Sequence, residues 1–99
     1  MEIQISRQAV CAADDQCGPL EMVAQIDPSS SIQELIGIIE RSKFLQFSSS
    51  HSSIVGVSED TPVVRVCCRF FSQKQNEYFV PATSRVSEVV KNGHLDFKF

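Results

Sequence analysis

The sequence predicts an α+β fold, a mixed sheet packed on one main helix, and three observations carry that prediction. Two alternating apolar/polar runs stand at the start of the chain, a capped amphipathic helix follows them, and a third alternating run ends the chain. One domain is expected over residues 1–99, because a chain of 99 residues supports a single core.

The first run places Met1, Ile3, Ile5, Ala9, Cys11 and Ala13 on one face and Glu2, Gln4, Ser6 and Gln8 on the other. Period two is the mark of a half-buried strand. Arg7 interrupts the apolar face, so a bulge or a barrel-like bend is expected there. Asp14 to Pro19 is rich in turn formers, and Leu20, Met22, Ala24 and Ile26 then alternate against Glu21, Val23, Gln25 and Asp27. The two runs read as a β-hairpin.

The helix entrance is Asp27-Pro28-Ser29-Ser30-Ser31-Ile32-Gln33-Glu34-Leu35. Ser31 supplies the cap, and Glu34, three residues on, is placed to reach back to the N–H of Ser31, the reciprocal arrangement of a capping box. Pro28 precedes the cap, where it costs no helical hydrogen bond. Ile32, Leu35, Ile36 and Ile39 form one apolar stripe, and Glu40 to Lys43 close the helix with polar side chains.

Phe44, Leu45 and Phe47 lead into a Ser-rich loop around His51, and Ile54 to Val57 reads as a short strand. Ser58 to Pro62 is a turn cluster. Val63 to Phe71 is the strongest strand: Val64, Val66, Cys68 and Phe70 share one face, Val63, Arg65, Cys67, Arg69 and Phe71 the other. Residues 72–77 are turn-like, and Tyr78 to Val80 resume the strand pattern until Pro81. Ser84 opens a short helix carrying Val86, Val89 and Val90, which Asn92-Gly93 ends as a left-handed cap. Leu95, Phe97 and Phe99 alternate with His94, Asp96 and Lys98, and this last strand is expected to pair beside the first, parallel to it.

Taken in this order, the chain resembles the ubiquitin-like β-grasp family. Asp27-Pro28-Ser29-Ser30-Ser31-Ile32 carries the likeness, Ile32, Leu35 and Ile39 stand at that family's helix-core positions, and residues 86–90 and 95–99 look like its closing turn and strand. Two departures stand out. Residues 43–62 read as an insertion after the helix, and the chain ends Asp96-Phe97-Lys98-Phe99 where conjugated modifiers and sulfur carriers have Gly-Gly. The resemblance therefore implies a non-enzymatic protein-protein interaction module, with the outer face of the sheet as its partner surface. Arg65, Cys67, Arg69 and Phe71 are the candidate partner-binding residues.

Composition narrows the function further. Hydrophobic residues make up 42% and charged residues 21%, which is globular rather than disordered. A net charge of −3 and scattered basic residues argue against nucleic acid, which demands a concentrated cationic surface. No apolar run reaches the roughly 18 residues of a membrane span, and the alternating N-terminus is unlike a signal peptide, so a cytoplasmic location is expected. Cys11, Cys17, Cys67 and Cys68 include no Cys-x-x-Cys and are expected as thiols, Cys68 in the core and Cys67 partly exposed.

No catalytic residues, metal or cofactor are expected. Ser49-Ser50-His51-Ser52 has no nucleophile elbow around it, and His94 and Asp96 sit on an open strand face with no pocket to tune them. The expected partner is another protein. The alternative is a small cytoplasmic immunity or antitoxin protein that inhibits a partner enzyme, for which Asp14, Asp15, Glu59 and Asp60 would supply an acidic patch.

Overall fold

A computed structural model describes residues 1–8, 20–42, 44–45, 52–67 and 75–99. The chain runs β1 (Glu2–Arg7), β2 (Glu21–Gln25), α1 (Ile32–Arg41), β3 (Ser53–Ser58), β4 (Thr61–Cys67), β5 (Glu77–Tyr78), α2 (Val86–Val89) and β6 (His94–Lys98). One mixed sheet of six strands has the order β2-β1-β6-β3-β4-β5. β1 and β6, second and third in that order, are its parallel pair, with Ile5 opposite Leu95 and Arg7 opposite Phe97, and every other pairing is antiparallel.

Period-two alternation sends Ile3, Ile5, Ala24, Ile54, Val64, Val66, Leu95 and Phe97 to one side of this sheet, where they are buried. α1 delivers Ile32, Leu35, Ile36 and Ile39 to the same core, all fully buried. Each such side chain contributes roughly 1.5–3 kcal/mol by leaving water. Phe44 and Leu45 extend the core beyond the helix end, and Val86 and Val90 close it near the helix start.

The helix entrance forms as a cap. Ser31 Oγ accepts from Glu34 N–H at 3.1 Å, while Asp27 Oδ1 accepts from the N–H and hydroxyl of Ser29 at 2.9 and 2.7 Å. The return half of the expected capping box is absent among the described residues, and Ser31 instead forms a bridge with Arg85. At the other end, Ser42 Oγ donates to Ile39 O at 2.6 Å and accepts from Phe44 N–H.

Several expectations are corrected. Arg7 does not interrupt β1: it faces Phe97 in the parallel ladder, its N–H donates to Leu20 O, and it keeps its inward place, only 5% exposed. Its guanidinium lies 5.6 Å from the centre of the Phe44 ring, and Nη1 donates to Gln8 O at 3.4 Å. Nε and Nη2 have no acceptor among the described residues.

The bulge sits instead on β4. The register shifts after Gly56, which faces Val64, so that Val57 faces Pro62 and Val63 is the extra residue. Val63 and Val64 are consequently both buried, where strict alternation would expose one of them. The stretch 43–62 is not wholly an insertion either, since its residues 53–58 are β3, an interior strand of the sheet. Residues 9–13, 46–51 and 68–71 of the expected strands and loop lie outside the described residues.

Two glycines are needed for distinct reasons. Gly93 has φ of 70°, but in the turn before β6 and not as the expected helix cap, since α2 ends at Val89 with Val90 as its C-cap; its carbonyl accepts from Gln4 N–H at 2.8 Å, setting β6 against β1. Gly56 lies against Phe97, whose Cε1 would be 2.9 Å from an added Cβ. We expect Gly56→Ala to cost about 1–3 kcal/mol in urea unfolding. In a double-mutant cycle, Phe97→Leu should relieve part of that cost, and strict additivity would refute the contact as its cause.

The β3–β4 turn places Glu59 and Asp60 at φ of 51° and 64°. Two positive φ values in a two-residue hairpin are the demand of a type I′ turn, which Asn-Gly meets with less strain. The double substitution Glu59→Asn with Asp60→Gly should raise stability by roughly 1 kcal/mol, a Tm gain of roughly 4–8 °C by calorimetry.

The Ser29 hydroxyl, and after it the Ser29 N–H, holds the Asp27 carboxyl below its ordinary 3.8. A lowered folded value stabilises the fold above the unfolded pKa, and the gain is lost as pH falls through the folded value. Asp27→Asn keeps an acceptor but removes this titration. The wild-type advantage in urea midpoint over Asp27→Asn should hold down to about pH 3.8 and vanish below it. A pH-independent difference would rule the linkage out.

Candidate functional site

Helix α1 and the core occupy one side of the sheet, so alternation turns Gln4, Ser6, Val23, His94, Asp96, Lys98, Val55, Val57, Arg65, Glu77 and Phe79 to the other. All of these are exposed or half-buried. This outer face carries two groupings of side chains.

The first lies over the parallel pair. Their register sets Ser6 beside Asp96 and Gln4 beside His94. Ser6 Oγ donates to Asp96 Oδ1 at 2.6 Å and lies 3.2 Å from His94 Nε2, and Asp96 Oδ2 is 3.5 Å from Lys98 Nζ. A serine, a histidine and an aspartate are thus together, but in the wrong order for nucleophilic catalysis. The aspartate accepts the serine hydroxyl's hydrogen bond directly instead of orienting the imidazole that would serve as the base. Gln4, Ser6, Glu21, Val23 and His94 also line a surface depression of about 240 Å³. The grouping can donate and accept hydrogen bonds at a surface.

The second grouping lies at the β4–β5 edge. Arg65 Nη1 donates to Glu77 Oε2 at 2.9 Å, and the guanidinium sits 5.6 Å from the centre of the Phe79 ring. Both partners of the ion pair are well exposed, which limits its worth to about 0–1 kcal/mol. Arg65 is therefore positioned by a planar aromatic surface and a carboxylate, with much of its fork still facing solvent. Phe79 itself is 42% exposed, an apolar side chain that folding leaves in water.

Of the four residues expected at a partner surface, Arg65 is exposed. Cys67 is not: it is a free thiol, 6% exposed, and cannot form part of a surface. Its backbone N–H donates to Asn76 Oδ1 at 3.0 Å, and Asn76 Nδ2 donates onward to Glu40 Oε1 at 3.2 Å, so the segment entering β5 closes over this end of β4 and ties it to α1. The same proximity acts on Tyr78, whose phenol is pushed up by burial and then by the Glu40 carboxylate. Arg69 and Phe71 lie outside the described residues, as do Asp14, Asp15, His51, Cys11, Cys17 and Cys68.

Glu77 and Phe79 were not separable from a turn and a short strand by sequence pattern. Their place beside Arg65 follows from the pairing of Arg65 with Glu77, a relation between strands that alternation within one strand does not encode. His94 and Asp96 were recognisable on one strand face, but Ser6 joins them only through the parallel register.

Among the described residues no group of His, Cys, Asp and Glu could hold a metal ion, and no helix is long and apolar enough to cross a membrane. In comparison with known proteins, no family model, no curated protein and no solved structure matches this chain.

Proposed function

We propose that this chain is a non-enzymatic protein-interaction module with a ubiquitin-like β-grasp fold, and that it binds another protein through the Arg65–Phe79 end of its outer sheet face. The observation that carries the reading is the strand order. A parallel first-and-last pair lies between β2 and β3, and the main helix packs across one side. That is the arrangement the sequence resemblance implies, and the described residues of the opposite side are exposed or half-buried.

The chemistry of this end favours a protein partner. Arg and aromatic residues are the side chains most often found at the energetic centre of an interface. Here they stack on one another, so little side-chain freedom remains to be lost on binding. A partner segment would place an apolar side chain against Phe79 and an acidic group on Arg65, in competition with Glu77.

The alternative, an inhibitor of a partner enzyme built on an acidic patch, has less support. Glu59 and Asp60 are adjacent and exposed at the β3–β4 turn, while Asp14 and Asp15 lie outside the described residues.

The test is affinity capture from the source cell with the tagged chain, followed by binding measurements on the recovered protein. Arg65→Glu and Phe79→Ala should each weaken that binding roughly tenfold or more. Lys91→Glu, an exposed change in the turn before β6, should leave it unchanged. Equal binding by folded Arg65→Glu and Phe79→Ala would overturn the proposal.

A further inference from the structure

The two edges of the sheet are unequal. At one edge, β5 is only two residues long, carries the Arg65–Glu77 pair on its outer side, and is followed by Pro81. These are the devices by which proteins keep a sheet edge from pairing. At the other edge, β2 has none of them. Its five residues, Glu21-Met22-Val23-Ala24-Gln25, include no Lys, no Pro and no register shift, and Val23 is 54% exposed.

The backbone of β2 faces outward in a definite pattern. Arg7 N–H donates to Leu20 O and Ile26 N–H donates to Met1 O, so the even-numbered residues of β2 bond to β1. Glu21, Val23 and Gln25 therefore aim their N–H and C=O groups away from the sheet, and none of these groups has a backbone partner among the described residues.

We infer that β2 is a self-association edge, pairing antiparallel with β2 of a second copy about a two-fold axis at Val23. In that register Val23 meets Val23, and Glu21 meets Gln25 of the second copy. The facing pairs are apolar with apolar and carboxylate with amide. The neighbouring registers are poorer for reasons written in the chain. A shift by two residues one way sets Glu21 opposite Asp27, placing like charges face to face. A shift by two the other way needs a donor at Pro19, which has none. A shift by one presents groups already bonded to β1. The self-complementarity of Glu21-x-Val23-x-Gln25 argues for a second copy over an unrelated strand as the occupant.

The pairing would run one continuous sheet through both copies. Because β2 and β5 lie at opposite edges, it would leave Arg65 and Phe79 of each copy clear. The inference does not depend on that face having a partner.

Sedimentation equilibrium from micromolar to millimolar protein, with amide hydrogen exchange by NMR, tests it. The expected result is a monomer–dimer equilibrium in which the Glu21, Val23 and Gln25 amides gain protection with concentration. Val23→Pro removes a donor that faces away from β1 and should raise the dimer Kd roughly tenfold or more. Gln25→Glu sets a carboxylate opposite Glu21 of the second copy, and also opposite Glu2 of its own, to which Gln25 Nε2 donates at 3.1 Å; it should weaken the dimer, and adding Glu21→Lys, which changes the contact between copies, should restore association. That second pair of variants decides the matter should Val23→Pro fail to fold. A protein that stays monomeric with those amides unprotected, or a dimer indifferent to these changes, would overturn the inference.

Discussion

The fold turns on a reciprocal set of backbone hydrogen bonds between the entrance of α1 and the segment that leads into β6. Ile32 and Gln33 N–H groups donate to Ser84 O and Ala82 O at 2.9 and 3.1 Å, while Val86 and Ser87 N–H groups donate to Ser30 O and Pro28 O at 2.8 and 3.3 Å. The free N–H groups that begin each helix are thus satisfied by carbonyls just before the other helix. With Ser31 Oγ on Glu34 N–H, the first turn of α1 has a partner for every donor. This fixes the helix start beside α2, and α2 is only four residues from β6. The last strand is thereby delivered beside β1, and the helix is held over the sheet face where Leu95 and Phe97 point inward.

How much of this could be read from sequence follows from whether a feature is local. The stripe Ile32, Leu35, Ile36, Ile39 and the alternation of Ile3 with Ile5 and of Leu95 with Phe97 are properties of one segment each, and the structure buries every one of them. The bulge at Val63 is a relation between β3 and β4, and no pattern within β4 announces it. Cys67 has the alternation of an outward residue, yet Asn76, nine positions later, closes over its backbone. Arg7 is the clearest case. Hydropathy alone reads a charge on an apolar face as a break in the strand. The structure keeps the strand and accommodates the guanidinium against the face of Phe44, a ring 37 positions away.

The candidate surface shows the same division. Arg65 was legible because it alternates with Val64 and Val66, whose burial turns it to the outer face. What makes it a defined feature, the ion pair with Glu77 and the stack on Phe79, depends on the β4–β5 pairing. Ser6, His94 and Asp96 are assembled by a parallel register joining the two ends of the chain. A short sequence thus yields its core from periodicity, whereas its surface chemistry comes from contacts between segments far apart along the chain.

The contrast between the edges joins these observations. In the strand order β2-β1-β6-β3-β4-β5, each interior strand has a neighbour on both sides, whereas among the described residues β2 and β5 have a neighbour on one side alone. One end is short and occupied by side chains that hold Arg65 in place. The other is regular, apolar at its centre and, among the described residues, without a backbone partner. An arginine stacked on an exposed phenylalanine recognises by side chain, whereas a bare strand edge recognises by backbone, and these modes do not compete for the same groups. If both are used, two copies joined at β2 carry two Arg65–Phe79 ends on one rigid sheet. A partner with two matching sites would then meet the second at high effective concentration, a gain in avidity that needs no additional contact on either chain.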